Sequence, residues 1–263
     1  MKVLIFLSLI SVHAWAKPLV LVSYFDAFNR APFNNSERIA VELKARFDRE
    51  TSPIQLELCA LNTVFDRAFN QTEECVRALP QRPLFVLGLG ESTCELKIET
   101  MMRNKDKTVG PDNAGTHRNN TLILPGAPSA IGLRFPLPQM YCALSESDRR
   151  SVDISNNAGT FVCNNTAYQM AHAYPELNYG FIHVPSNNCT QLTKKNELAL
   201  KQLEVMMIAA AKALSEKDAE VLPISKAEIR AKRESFRGSC EGDFFDRMRS
   251  ADERRFFLNA TMN

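Results

Sequence analysis

The sequence predicts an α/β fold in which a largely parallel sheet is covered by helices on both faces. Two observations carry this. Pro18 to Phe25 and Leu84 to Leu89 are continuous apolar runs, the pattern of strands buried on both sides. Between them the chain alternates: helix, strand, helix. An alternating order of this kind implies right-handed crossovers and a parallel sheet. Ligands of such sheets sit beyond the carboxyl ends of the strands. That brings the loops Asp26 to Asn35 and Gly90 to Thr93 into view, with those that follow the later strands.

The elements follow in order. After the first strand and a polar loop, Asn35 or Ser36 caps a helix whose Ile39, Leu43 and Phe47 share one face. Ser52-Pro53 ends it. Ile54 to Leu61 reads as the second strand, and Phe65 to Leu79 as a helix stopped by Pro80. The third strand is Leu84 to Leu89. Cys94, Leu96 and Ile98 alternate with polar residues, as in a half-exposed strand that leads to Glu99. Arg103 to Asn120 is a long polar loop, and loops of that length are often functional. Thr121 to Pro125 reads as a short strand, Leu137 to Leu144 as a helix and Val152 to Ser155 as a strand. Asn164 to Tyr174 is helical, Tyr179 to Val184 extended, and Asn196 to Leu214 a long amphipathic helix.

Three segments result. Residues 1–16 have a lysine, an apolar core too short to span a bilayer and an Ala14-Trp15-Ala16 end, the pattern of a secretory signal cut after Ala16. Residues 17–216 form the main domain. Residues 217–263 are rich in both charges, with Phe236, Phe244, Phe245, Phe256 and Phe257 interspersed, and read as a helical extension docked on it. The formal net charge is only +2 and the basic residues are scattered, so no nucleic-acid footprint is present. No later stretch is apolar enough to cross a membrane once the signal is removed. The expected location is periplasmic or secreted, in a bacterial source.

Export makes the seven cysteines meaningful. An oxidising compartment favours disulfides, and an odd count leaves one thiol over. If Cys163 is that thiol, then Cys59, Cys75, Cys94, Cys142, Cys189 and Cys240 pair completely; which pairs with which is not readable from sequence.

Cys163 stands where an extended segment turns into a helix. Helix N-termini carry unsatisfied N–H groups and partial positive charge, which favour a thiolate and can receive an oxyanion. The helix after it covers about 16 Å, and the following strand returns about 20 Å. His183 therefore comes back to the level of Cys163, placed to act as its base. Taken alone, Cys163 reads equally as a small buried residue, and His183 as a core histidine bonded to backbone. Gly88-Leu89-Gly90 lacks the third glycine of a dinucleotide site, and no phosphate-binding loop or serine elbow occurs. His117, His172 and His183 lack metal-ligand spacing, so neither metal nor cofactor is expected. Sequons begin at Asn34, Asn70, Asn119, Asn164, Asn188 and Asn259. A glycan on Asn164 would block the site, so they read as unused.

Longer motifs add to these. Val22 to Arg30 with Asn34-Asn35-Ser36 echoes V-T-G-F-E-P-F-G-G and N-P-S. Glu99 to Asn104 echoes E-R-V-A-x-N, and Asp112-Asn113-Ala114-Gly115 matches D-N-x-G. Ser155 to Asn164 nearly reproduces S-x-x-A-G-T-F-V-C-N, and Gly180 to Pro185 is G-F-I-H-V-P. With these motifs the chain resembles the pyroglutamyl-peptidase I family of cysteine peptidases, from about Leu19 to about Leu214. The resemblance implies an open three-layer α/β/α sandwich and removal of an N-terminal pyroglutamate from blocked peptides. It implies a Cys–His–Glu triad at Cys163, His183 and Glu99. It points to Phe25 and Phe28 as walls of the ring pocket, with Phe161 and Val162 beside the nucleophile. Related enzymes are often oligomers.

The chain also departs from the family. Gly90 to Glu95 replaces a G-Q-A-G-G-R loop, so Glu91 puts a carboxylate where an amide is expected. Asn29-Arg30 replaces a glycine pair, and Tyr24 a glycine. Two further readings follow: a cysteine peptidase or amidase of altered specificity, and a catalytically silent binding protein on the same scaffold.

Overall fold

The computed structural model describes residues 17–108, 110–216 and 226–248. The first apolar run forms β1 (Leu19–Phe25), with six of its seven residues buried. It pairs in parallel with β2 (Gln55–Leu61) on one side and β3 (Phe85–Glu91) on the other. β8 (Tyr179–Val184) lies parallel to β3. β4 (Leu96–Glu99) then runs antiparallel to β8, and β7 (Val152–Ser155) parallel to β4. The strand order is β2-β1-β3-β8-β4-β7. A two-stranded ribbon, β5 (Met101–Arg103) and β6 (Ala130–Gly132), stands apart.

Strand residues alternate between two cores, which is what makes three layers. Val20 and Val22 face one core, beneath α1 (Asn35–Phe47), α3 (Leu137–Ala143) and α6 (Leu192–Ser215). Leu21 and Phe25 face the other, beneath α2 (Arg67–Ala78) and α5 (Val162–Ala173). The remaining helices are the single turn α4 (Glu146–Arg149), α7 (Lys226–Ser235) and α8 (residues 240–248).

Several expectations are corrected in detail. Asn34 caps α1: its side chain accepts the Ser36 N–H at 3.0 Å. β4 is not half-exposed. It lies inside the sheet, and Leu96, Ile98 and Glu99 are all buried. Thr121 to Pro125 is not a strand. Only Thr121 pairs, with Asp106. The Asn104 side chain takes the place of a partner strand, accepting the Leu124 N–H at 2.8 Å and donating to the Leu124 carbonyl at 2.7 Å.

The three disulfides are Cys59–Cys75, Cys94–Cys189 and Cys142–Cys240, and Cys163 is free. By loop-closure entropy, the last two each restrain the unfolded chain by about 4.7 kcal/mol and the first by about 3 kcal/mol. Cys142–Cys240 fastens the extension to α3. Phe244 and Phe245 are fully buried in the core beneath α3 and α6, and Tyr141 donates to Asp243 at 2.6 Å. This part of the extension docks as expected. Phe256, Phe257 and the signal segment 1–16 lie outside the described residues.

Candidate active site

Phe161 is the N-cap of α5, in extended conformation, and its side chain makes no capping hydrogen bond. Cys163 is the second helical residue, so its sulfur stands at the positive end of the helix, half-buried. The first turn is clamped from one side. Asn164, completely buried, accepts the Arg103 N–H at 2.8 Å and donates to the carbonyls of Arg103 and Lys105 at 2.9 and 3.1 Å. Asn165 donates to Asp106 at 2.9 Å, and burial pushes the Asp106 carboxyl up to about 6.

The β8–β4 register brings the other two groups together. His183 lies opposite Lys97, which makes Glu99 its diagonal neighbour on the same face. His183 Nδ1 and Glu99 Oε1 are 2.9 Å apart, with both side chains buried. The Cys163 thiol is the second group acting on the ring: a Cβ on Gly90 would lie within 2.8 Å of its sulfur and 3.1 Å of the His183 ring. Burial is the largest single influence on the imidazole and pulls its pKa down. The hydrogen bonds and charges of Cys163 and Glu99 together outweigh it and raise the pKa to about 9. The ring is thus biased toward its protonated form. Glu99 Oε2 is buried with no hydrogen-bond partner among the described residues, so His183 is the one polar group its carboxylate serves.

Gly88 and Gly90, which read as no known signature, make room for this arrangement. A Cβ on Gly88 would come within 2.5 Å of the Phe181 ring, and one on Gly90 within 2.8 Å of Cys163 Sγ.

Cys163 opens into a cavity of about 200 Å³. Phe25, Phe28, Phe161 and Glu91, all singled out from sequence, line it. Phe33, Asn34, Thr63, Ser92, Ser186 and Asn187 line it too and were not singled out, although Phe33, Asn34 and Ser92 fall in the loops Asp26 to Asn35 and Gly90 to Thr93 that were expected to face a ligand. The Phe161 ring packs against Phe28 at 4.8 Å and edge-on against Phe65 at 5.3 Å between centroids. Val162 is not at the cavity. On the opposite side of the first helical turn, it is fully buried in the core with Leu21 and Tyr168.

The Glu91 carboxylate is already engaged. Oε2 accepts the Asn35 N–H at the start of α1 at 2.6 Å, and Oε1 the Ser186 hydroxyl at 3.3 Å. A carboxylate at a helix N-terminus is in its favoured place. Asp112 and Asn113 brace the loops around the cavity. Asp112 accepts the Phe65, Ala114 and Thr116 N–H groups at 3.0, 2.9 and 2.7 Å, while Asn113 donates to Asp26 at 3.0 Å and to the Ala27 carbonyl at 2.8 Å.

A family model described as pyroglutamyl peptidase matches residues 18–217. The chain belongs to that family. Family members are cysteine-type omega peptidases. Among curated relatives, the pyrrolidone-carboxylate peptidase of Thermosipho africanus is 26% identical over 203 residues, covering 74% of this chain and 96% of that one. The pyrrolidone-carboxylate peptidase of Pyrococcus furiosus is 30% identical over 171 residues, covering 63% and 80%. The fold is shared with the crystal structure of pyroglutamyl peptidase I from Bacillus amyloliquefaciens, with a TM-score of 0.63, 23% identity and coverage of 74% and 95%. In the pyroglutamyl peptidase family context, the α/β/α sandwich expected from the motifs is the observed fold.

Proposed function

We propose that this protein hydrolyses the amide bond after an N-terminal pyroglutamyl residue, with Cys163 as nucleophile, His183 as general acid/base and Glu99 orienting the imidazole. Family membership supports removal of pyroglutamate. The observation that carries the residue roles is the 2.9 Å His183–Glu99 hydrogen bond beside Cys163, which itself lines an aromatic cavity. A neutral lactam ring suits such walls. Because Glu91 is tied to Asn35 and Ser186, the altered loop does not oppose that substrate with a free carboxylate.

The chemistry follows from the positions. Cys163 Sγ attacks the pyroglutamyl carbonyl carbon, and its thiol proton passes to His183. Charge collects on the carbonyl oxygen, and the free backbone N–H groups at the start of α5, beside Cys163, are donors of the kind that stabilise it. The C–N bond breaks as His183 gives its proton to the leaving amine. Water, deprotonated by His183, then cleaves the thioester. Glu99 stabilises the imidazolium and fixes the ring orientation through Nδ1.

The test is hydrolysis of a fluorogenic pyroglutamyl amide by residues 17–263. Cys163→Ala is expected to lower kcat/KM by a factor on the order of 10⁴ or more. An inert wild type whose Cys163 still alkylates rapidly with iodoacetamide would move the assignment to another amide. A Cys163 that alkylates no faster than an ordinary thiol would sink the peptidase reading.

Export is part of the same proposal. Three disulfides alongside one free thiol fit an oxidising compartment. N-terminal sequencing of the mature protein is expected to start at Lys17; a retained Met1 would refute cleavage.

A further inference from the structure

The nucleophile's cavity continues into a larger one of about 510 Å³. The two share Phe28, Ala31, Phe33, Glu91 and Asn187 as walls, while Asn29, Arg30, Pro32 and Asn188 line only the larger. The smaller cavity is sized for one ring. The part of the substrate that departs from the scissile bond must extend out of it, and the shared wall leads into the larger space. This argument rests on the pyroglutamyl reading above.

The backbone at that wall is unusual. Asn29 and Arg30 have φ of 53° and 59°, and the Ala31 N–H closes the turn onto the Phe28 carbonyl at 3.0 Å. Two consecutive positive φ values make a turn for which Asn-Gly is the preferred pair. Asparagine tolerates the left-handed region; an arginine there is strained. Glycine would satisfy the turn at lower cost, yet the sequence holds a long cation in it.

That cation is unanswered. Among the described residues no carboxylate forms an ion pair with Arg30. The nearby acids are occupied: Asp26 accepts from Asn62, Thr63 and Asn113, and Glu91 from Asn35 and Ser186. Besides the Glu91 carboxylate, whose two oxygens are held by Asn35 and Ser186, the polar lining is the Arg30 guanidinium and the Asn29, Asn187 and Asn188 amides, a donor set that receives a carboxylate.

We propose that Arg30 is a specificity-determining residue that binds a carboxylate on the departing portion of the substrate. The carboxylate is either an acidic side chain just after the pyroglutamyl residue or the free C-terminus of a short peptide.

The experiment measures kcat/KM for pyroglutamyl-glutamyl and pyroglutamyl-lysyl peptides, each with a free and an amidated C-terminus. Wild type is expected to favour the more anionic member of a pair by about fivefold at low salt, the upper range for a partly exposed ion pair, and less at high salt. Discrimination between glutamyl and lysyl peptides assigns the side chain; discrimination between free and amidated ends assigns the C-terminus. Arg30→Glu should invert the preference. Arg30→Gly, which suits the positive φ, should fold and level it. Equal rates across both pairs in wild type, or a preference that survives Arg30→Glu, would overturn the inference while leaving the peptidase reading intact. Failure to cleave any of the four peptides would take down the function reading and this inference with it.

Discussion

A Cβ built on Gly90 would lie 2.8 Å from the sulfur of Cys163 and 3.1 Å from the His183 ring. Gly90 is also the residue opposite His183 in the β3–β8 ladder. The strand can approach the reacting pair only because it carries no side chain at that point. Gly90→Ala should therefore push the nucleophile off its position. The expected result is a fall in kcat/KM of roughly 10²-fold with the fold retained, since displacements of about 1 Å carry that cost. Circular dichroism and steady-state kinetics on the purified variant check it. Unchanged kinetics would show that the sulfur is not held where it must react.

Glu99→Gln keeps the shape of the side chain and removes its charge. The expected loss in kcat is about 10²- to 10⁴-fold. The pH profile is the sharper readout. With the His183 pKa raised to about 9, the general acid is lost, and activity falls, as pH rises through that value. Removing Glu99's charge lowers that pKa, so the alkaline limb should move to lower pH. For stability the sign is the same: a histidine with a raised folded pKa stabilises fully below about 6.5 and loses that contribution as pH rises through about 9. A limb that stays in place in Glu99→Gln would remove Glu99 from its role.

The two long-range disulfides should separate by function. Cys94–Cys189 joins the loop after β3 to the loop after β8, and Glu91, Ser92, Ser186 and Asn187 between them line the cavity. Cys142–Cys240 holds the extension, away from the cavity. Replacing Cys94 and Cys189 together by serine should raise KM several-fold as well as lower the melting temperature. The matching Cys142/Cys240 variant should lower the melting temperature with KM unchanged. Equal effects on KM would refute the assignment.

What could be read from sequence followed from periodicity and local chemistry. Pro18 to Phe25 and Leu84 to Leu89 had to be buried strands because Ser23 and the Tyr24 hydroxyl, their only polar groups, fall on opposite faces and give neither a wet side. The site was legible differently. Spacing alone left Cys163 and His183 open to structural roles, and the motif around each decided between them. Glu99 by itself read as a strand-end carboxylate, and only the motif Glu99 to Asn104 marked it; its partnership with His183 depends on an antiparallel register that no short stretch encodes. The same is true of Glu91, whose direction is set by the N-terminus of α1, 56 residues earlier. Thr121 to Pro125 looked like a strand because its composition suits one, but the Asn104 amide satisfies its backbone instead. Val162 was expected beside the ring because it adjoins Cys163. Neighbours on a helix face different ways, and this one faces the core.

Asn164 begins an N-x-T sequon, and its side-chain amide is sealed inside the protein with both its oxygen and its nitrogen bonded to the backbone of residues 103 and 105. An oligosaccharide joined to that nitrogen as the chain emerged would have no space to occupy, and the first turn carrying the nucleophile could not close. The choice of production host is therefore a structural matter. A host that forms disulfides but attaches no N-linked sugar suits this chain; in a glycosylating secretory pathway, Thr166 would have to be changed first.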